Sequence, residues 1–205
     1  PGQESVWDYP RPPKLVPDPR EVIVRANGVE LARTRGALKL CETASPPTFY
    51  LPPADVRTVL LERAAGASFC EWKGEAQYWT AVAGEERLEG VAWTYPNPFG
   101  EYAPLAGFFA FYPARVECFV AGERVRPQPG RFYGGWITDD VVGPFKGEPG
   151  TGGWCARGKR TQCAIADCVG FPRASGSTFR RPADASADGG SPKAPPVRGS
   201  RSARP

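Results

Sequence analysis

The chain contains no histidine. A Ser-His-Asp triad and a Cys-His pair are therefore excluded, because each needs an imidazole base. A zinc site would need a fourth thiolate or a carboxylate to complete it. Long apolar runs are also missing. The longest candidate, APLAGFFAFYPA (103–114), is broken by Gly and Pro and falls short of the ~18 residues that span a bilayer, so no membrane contact is expected. Helical periodicity is almost absent, and no segment repeats at a fixed interval. The opening residues carry neither a basic n-region nor an apolar h-region, so no secretory leader is read there. Six scattered Cys in 205 residues do not resemble a disulfide scaffold, and a reducing cytoplasm is the expected setting.

What is present divides unevenly. All six Trp lie at or before Trp154, and beyond it only Phe171 and Phe179 are aromatic. Residues 1–153 hold 16 Lys/Arg against 19 Asp/Glu, and the remainder holds 10 against 3. The net charge of +4 is thus a property of the tail. It points to at most weak nucleic-acid contact, through that tail, and says little about a nucleic-acid surface on the folded part. Residues 155–205 are rich in Ser, Pro, Gly and Arg and lack apolar patterning. Such a segment cannot bury enough surface to offset its ordering entropy, so a basic disordered tail is expected.

The part before it reads as short strands. Residues 1–19 hold six Pro with Trp7 and Tyr9 among them, an extended arm expected to pack on the domain. EVIVRANGVELART (21–34) is a hairpin signal, with Asn27-Gly28 suited to a type I′ turn. ALKLC (37–41) and TFYL (48–51) are strand candidates on either side of a Pro46-Pro47 break, and 53–62 allows one short helical turn. RLEGVAWTY (87–95), GFFAFY (107–112), RVECFVAG (115–122) and GRFYGGWITDDVVG (130–143) complete the set. The expectation is an all-β domain over 20–154.

Three places invite a functional reading. SFCEWKGEAQYW (68–79) reads as two strands around a Lys73-Gly74-Glu75 turn. Period-two geometry then puts Glu71 and Lys73 on the face of Phe69, with Cys70 and Trp72 opposite. That charged face is either solvated decoration or one wall of an aromatic-lined site. Glu42 ends an apolar strand before a Pro-Pro pair, where loops often carry function; it is either a turn residue or a second carboxylate for metal binding or acid–base work. Gly134-Gly135 sits between Tyr133 and Trp136. It is either a bulge that packs both aromatics in the core or the floor of a pocket.

Two other patterns fail. GWCARGKRT (153–161) approaches a phosphate-binding loop, but Arg160 stands where Ser or Thr is needed, and no strand or helix flanks it. Cys155, Cys163 and Cys168 lack paired C-x₂-C spacing.

The runs ESVWDYPRPP, CETASPPTFYLPPADV, SFCEWKGEAQYW, VAWTYPNP and VRPQPGRFYGGWITDDVVGPFKG resemble a bacterial family known as domain of unknown function 427, over about residues 4–154. The resemblance implies a β-tent (Mss4-like) fold of two small antiparallel sheets. Its recurring positions match Glu42, Tyr50, Glu71, Trp72, Lys73, Trp79, Trp93, Tyr95, Tyr112, Tyr133, Gly134, Gly135 and Trp136. Ser45 stands where the family motif carries His. Members of the family end near Trp154, so the extension reads either as a natural tail or as a frameshifted reading of GC-rich DNA. The family carries a nucleotidyltransferase label. Chemically that label finds no support here, because Asp139 and Asp140 are adjacent and would point to opposite faces of a strand.

The reading that results is a binding module for a small polar or cationic ligand, without a cofactor or metal. Glu42, Tyr50, Glu71, Trp72, Lys73, Trp93, Tyr112, Tyr133 and Trp136 are the candidate ligand-binding residues. Aromatic walls suit flat rings or ammonium groups, the glutamates would orient a cation, and Lys73 would take a carboxylate or phosphate. The alternatives are a metal- or acid/base-dependent enzyme, including the labelled nucleotidyltransferase, and a purely structural or interaction domain.

Overall fold

The computed structural model describes residues 2–83, 86–130, 134–148 and 151. Within it, alternating valines build the first hairpin. Val22 and Val24 are fully buried, while Ile23 and Arg25 are partly exposed. Asn27 and Gly28 both take positive φ, 49° and 77°, as a two-residue I′ turn requires, and Ala26 pairs with Val29. Ala121 and Gly122 repeat the device at φ 49° and 82° and pair Val120 with Glu123. The two hairpins combine in a four-stranded sheet, ordered Glu123–Arg124, Glu117–Val120, Val22–Ala26, Val29–Thr34.

A seven-stranded sheet runs Lys14–Asp18, Ala37–Glu42, Ser45–Leu51, Phe109–Phe111, Glu86–Thr94, Gly74–Ala83, Leu61–Cys70. All its neighbours are antiparallel, so the domain is all-β. One face packs on the smaller sheet through Val22, Val24, Leu31, Phe49, Leu51, Val91 and Phe111. Each fully buried side chain of this kind contributes roughly 1.5–3 kcal/mol.

Three local expectations change. Pro46-Pro47 does not break the chain but lies inside the strand Ser45–Leu51. Pro lacks the donor a ladder needs, and here the register against Ala37–Glu42 slips between Leu40 and Glu42, so the missing N–H groups fall at an irregularity. The single helical turn becomes two 3₁₀ turns, Pro53–Asp55 and Thr58–Leu60. The sheet begins at Lys14, inside the stretch read as an arm, and Pro17 is accommodated because this strand lies at an edge.

Residues 4–13 run along the domain. Glu4–Ser5 pairs in parallel with Val141–Val142. The Trp7 indole donates to the Pro144 carbonyl at 2.9 Å, and the Tyr9 hydroxyl donates to Glu4 at 2.7 Å. Tyr102 donates its hydroxyl proton to the Pro13 carbonyl at 2.7 Å. Among the described residues no helix is long and apolar enough to cross a membrane. The expected tail, Cys155, Cys163, Cys168 and Tyr133 lie outside the described residues.

Candidate functional site

The second face of the large sheet is aromatic because of its register. Leu38 opposes Tyr50, Tyr50 opposes Ala110, Ala110 opposes Trp93, and Trp93 opposes Tyr78. Period-two alternation puts this row on the face away from Phe49, Leu51, Phe109 and Phe111. Ala110 is the small member, and across it Tyr50 and Trp93 meet edge-on at 6.2 Å between centroids. Trp93 and Tyr112 approach to 4.4 Å. Burial pushes the phenols of Tyr50, Tyr95 and Tyr112 well above the usual tyrosine value, so this floor stays neutral.

Gly134 lies on that floor. A Cβ there would come within 2.3 Å of the Trp93 ring, so only glycine lets the backbone cross the indole. Trp136, two residues on, goes elsewhere. It is fully buried in the inter-sheet core, 5.1 Å from Phe49, and its indole donates to the Phe111 carbonyl at 3.0 Å. The glycine pair thus serves the core for Trp136 and the outer face for Trp93. Trp136 takes no part in the outer face.

A roof covers the outer face. It includes Tyr102 and Leu105 from the 3₁₀ segment Gly100–Leu105, with Leu15, Cys70 and Trp72 packed alongside. Cys70 and Trp72 reach it because the long hairpin of Leu61–Cys70 and Gly74–Ala83 bends. Its register shifts between Arg63 and Ala67, and bulges of this kind turn a strand out of plane. The hairpin closes at Glu71-Trp72-Lys73, with Cys70 paired to Gly74. Gly74 takes φ +88°, and a Cβ on it would meet the Phe99 ring at 3.1 Å. This is a three-residue turn closed by a left-handed glycine. It corrects the expected turn at 73–75. Residues 71–73 are turn residues, so strand alternation does not govern them, and Glu71 and Lys73 part ways. Glu71 is exposed, whereas Lys73 is buried at 6% exposure.

The two glutamates converge on a cation that their own spacing did not announce. Arg11, from the arm, places one guanidinium nitrogen 3.3 Å from Glu42 and the other 3.0 Å from Glu71. Its Cζ lies 5.4 Å from the Trp72 ring centroid. Two carboxylates and an indole face thus surround one planar cation, the geometry of charge-assisted and cation–π recognition. Glu42 reaches this point from a tight turn, Glu42 being paired with Ser45. That turn is clamped by Ala44 N–H to the Val6 carbonyl at 2.8 Å and by Thr43 to the Tyr9 carbonyl at 2.6 Å. Beneath the roof the Lys73 ammonium lies 5.6 Å and 5.9 Å from the ring centroids of Tyr95 and Tyr102.

Glu42, Glu71 and Trp72 therefore come together. Tyr50, Trp93 and Tyr112 form the floor, and Lys73 lies under the roof. Arg11 and Tyr102 were missed. Arg11 contacts residues 31 and 60 positions away, and a basic residue between prolines in an arm carries no signal of that. Three aspartates elsewhere are engaged by arginines. Asp18 and Asp140 both hold Arg20, at 2.7 Å and 2.8 Å, and Asp139 holds Arg126 at 2.8 Å. Among the described residues no three His, Cys, Asp or Glu side chains gather as a metal site would need.

Fold and site define an all-β domain whose aromatic outer face is roofed by a hairpin tip, a 3₁₀ segment and its own N-terminal arm. The chain belongs to the family described as "Domain of unknown function (DUF427)", whose model matches residues 14–122. That span contains Glu42, Glu71, Trp72 and Lys73 and begins three residues after Arg11. No curated protein matches the chain.

Proposed function

We propose that this domain is a binding module that takes a small polar or cationic ligand at Glu42, Glu71 and Trp72, above the floor of Tyr50, Trp93 and Tyr112. The place of Arg11 carries the reading. A guanidinium held by two carboxylates over an indole is a worked example of the cation the site accepts. Arg11 is a replaceable occupant. Its side chain is 47% exposed, and half-exposed ion pairs contribute only about 0–1 kcal/mol each. An external cation can therefore compete for the same groups.

Calorimetric titration of wild type and Arg11→Ala with amines, guanidines, modified bases and nucleotides tests this. The variant binds a cationic ligand more tightly than wild type, because the internal competitor is gone. Glu42→Gln and Glu71→Gln lose that binding. Failure of both proteins to bind any of these compounds sinks the reading.

The competing reading is a metal- or acid/base-dependent enzyme, with Glu42 and Glu71 as ligand or base and Lys73 as electrostatic stabiliser. It predicts turnover of nucleoside triphosphates by the purified protein, a separate and direct assay. A cytoplasmic location accompanies our reading. Cys41, Cys70 and Cys118 are free, and burial pushes the Cys41 thiol up to about 11, consistent with unreactive thiols in a reducing compartment.

A further inference from the structure

Lys73 carries a charge that the described protein leaves unanswered. The side chain is 6% exposed, yet among the described residues no carboxylate pairs with it and no acceptor takes its protons. Lys39, the other buried lysine among the described residues, is different: its ammonium holds both oxygens of Glu4, at 3.0 Å and 2.9 Å. Burying an ammonium is costly unless an opposite charge or acceptors replace its water. The faces of Tyr95 and Tyr102 offset part of that cost. The ammonium is also not sealed off, since no fully enclosed side-chain polar atom among the described residues lacks a partner.

We infer that the site takes a zwitterion. The ligand's cationic group replaces Arg11 between Glu42 and Glu71, and its anionic group, a carboxylate or a phosphate, pairs with Lys73. This rests on the cation-binding reading above and deepens it. One residue of each pole, Glu71 for the cation and Lys73 for the anion, belongs to the same three-residue turn. Glu71 and Lys73 are two positions apart, so their Cα atoms are separated by at most ~7 Å. Trp72 lies between the two in the turn. Tyr102 of the roof faces the anionic pole, its ring centroid 5.9 Å from the Lys73 ammonium. An anion beside Lys73 completes the charge pairing that two phenol faces only begin.

Matched pairs of ligands on the full chain test the inference. Choline and agmatine carry only the cation. Phosphocholine and arginine add a phosphate and a carboxylate, respectively. Calorimetry on wild type and Arg11→Ala should show the anion-bearing member of at least one pair binding about tenfold tighter, the yield of one charge-assisted hydrogen bond. The pair that responds identifies phosphate or carboxylate. In Lys73→Met the advantage disappears while binding of choline or agmatine persists. Equal binding within both pairs, or an advantage that survives Lys73→Met, overturns the inference and leaves the cation reading standing. No binding by any of the four overturns both. If Lys73→Met fails to fold, the comparison within pairs on the other two proteins still decides.

Discussion

The guanidinium of Arg11 lies 3.0 Å from the carboxylate of Glu71 across 60 residues of chain, and its second nitrogen reaches Glu42 at 3.3 Å. One side chain of the arm therefore joins the tip of the longest hairpin to the turn after Ala37–Glu42. Arg11→Ala should cost little global stability. The pairs are half-exposed, so a loss of about 1 kcal/mol, or roughly 2–4 °C in Tm, is the ceiling. Local effects should be larger. Hydrogen exchange should quicken at the amides of residues 9 and 11 and at the 71–73 turn while the inter-sheet strands keep their protection. Unchanged exchange at both places would mean that the salt bridges do not hold the arm.

Trp72 and Trp136 separate site from core. Trp136→Ala removes a fully buried indole and its bond to the Phe111 carbonyl, and should cost about 3–5 kcal/mol. Trp72 is half-buried, beneath Arg11. Trp72→Ala should leave most of the stability in place and abolish cation binding. Denaturant titration paired with calorimetry reads both. A larger stability loss at Trp72 than at Trp136 would contradict the assignment.

Gly134 is a steric test of the floor. No positive φ is involved there, but an added Cβ would come within 2.3 Å of Trp93. Gly134→Ala should therefore destabilise by about 1–3 kcal/mol through overpacking. Trp93→Phe in the same chain should recover part of the loss, because the clash is with the larger ring. Absence of any recovery in a double-mutant cycle would place the strain elsewhere.

Acid should loosen the arm side of the molecule. Burial alone would raise Glu4, but Tyr9 and Lys39 bond its carboxylate and hold its pKa below 4.5. Burial likewise opposes ionisation of Asp18 and Asp140. The Arg20 bonds outweigh it at Asp18, and those of Thr138 and Arg20 do so at Asp140, keeping both below 3.8. A depressed carboxyl binds fewer protons folded than unfolded. Its contribution is thus complete above the unfolded value and is lost as pH falls through the folded one. Tm should be level from about pH 7 to 5 and fall below about pH 4. Glu4→Gln should be less stable than wild type near neutrality and converge with it in acid. A constant gap between the two across that range would remove Glu4 from the account.

Much of the fold was legible locally. Asn27-Gly28 and the alternating valines around it specify a hairpin from neighbouring residues alone, and the structure has that hairpin. The hairpin at 68–79 was legible as a pair of strands but not in its closure. Reading the turn two residues late put Lys73 on one face with Phe69 and Glu71, whereas Gly74 at φ +88° ends the turn and the ammonium points under the roof. Pro46-Pro47 looked like a break because single-strand rules ignore the partner. Its tolerance depends on a register slip against Leu40 and Glu42.

The sequence alone determined the class of the domain. Period-two patterning, turn glycines and scarce helical periodicity act over a few residues and need no knowledge of the whole. It also limited the chemistry, since a chain without His cannot build an imidazole-dependent site. Only the tertiary structure decided which charged groups meet. Arg11, Glu42, Glu71 and Lys73 owe their positions to the bend of one hairpin and the path of one arm, and those are set by packing between segments far apart in the chain.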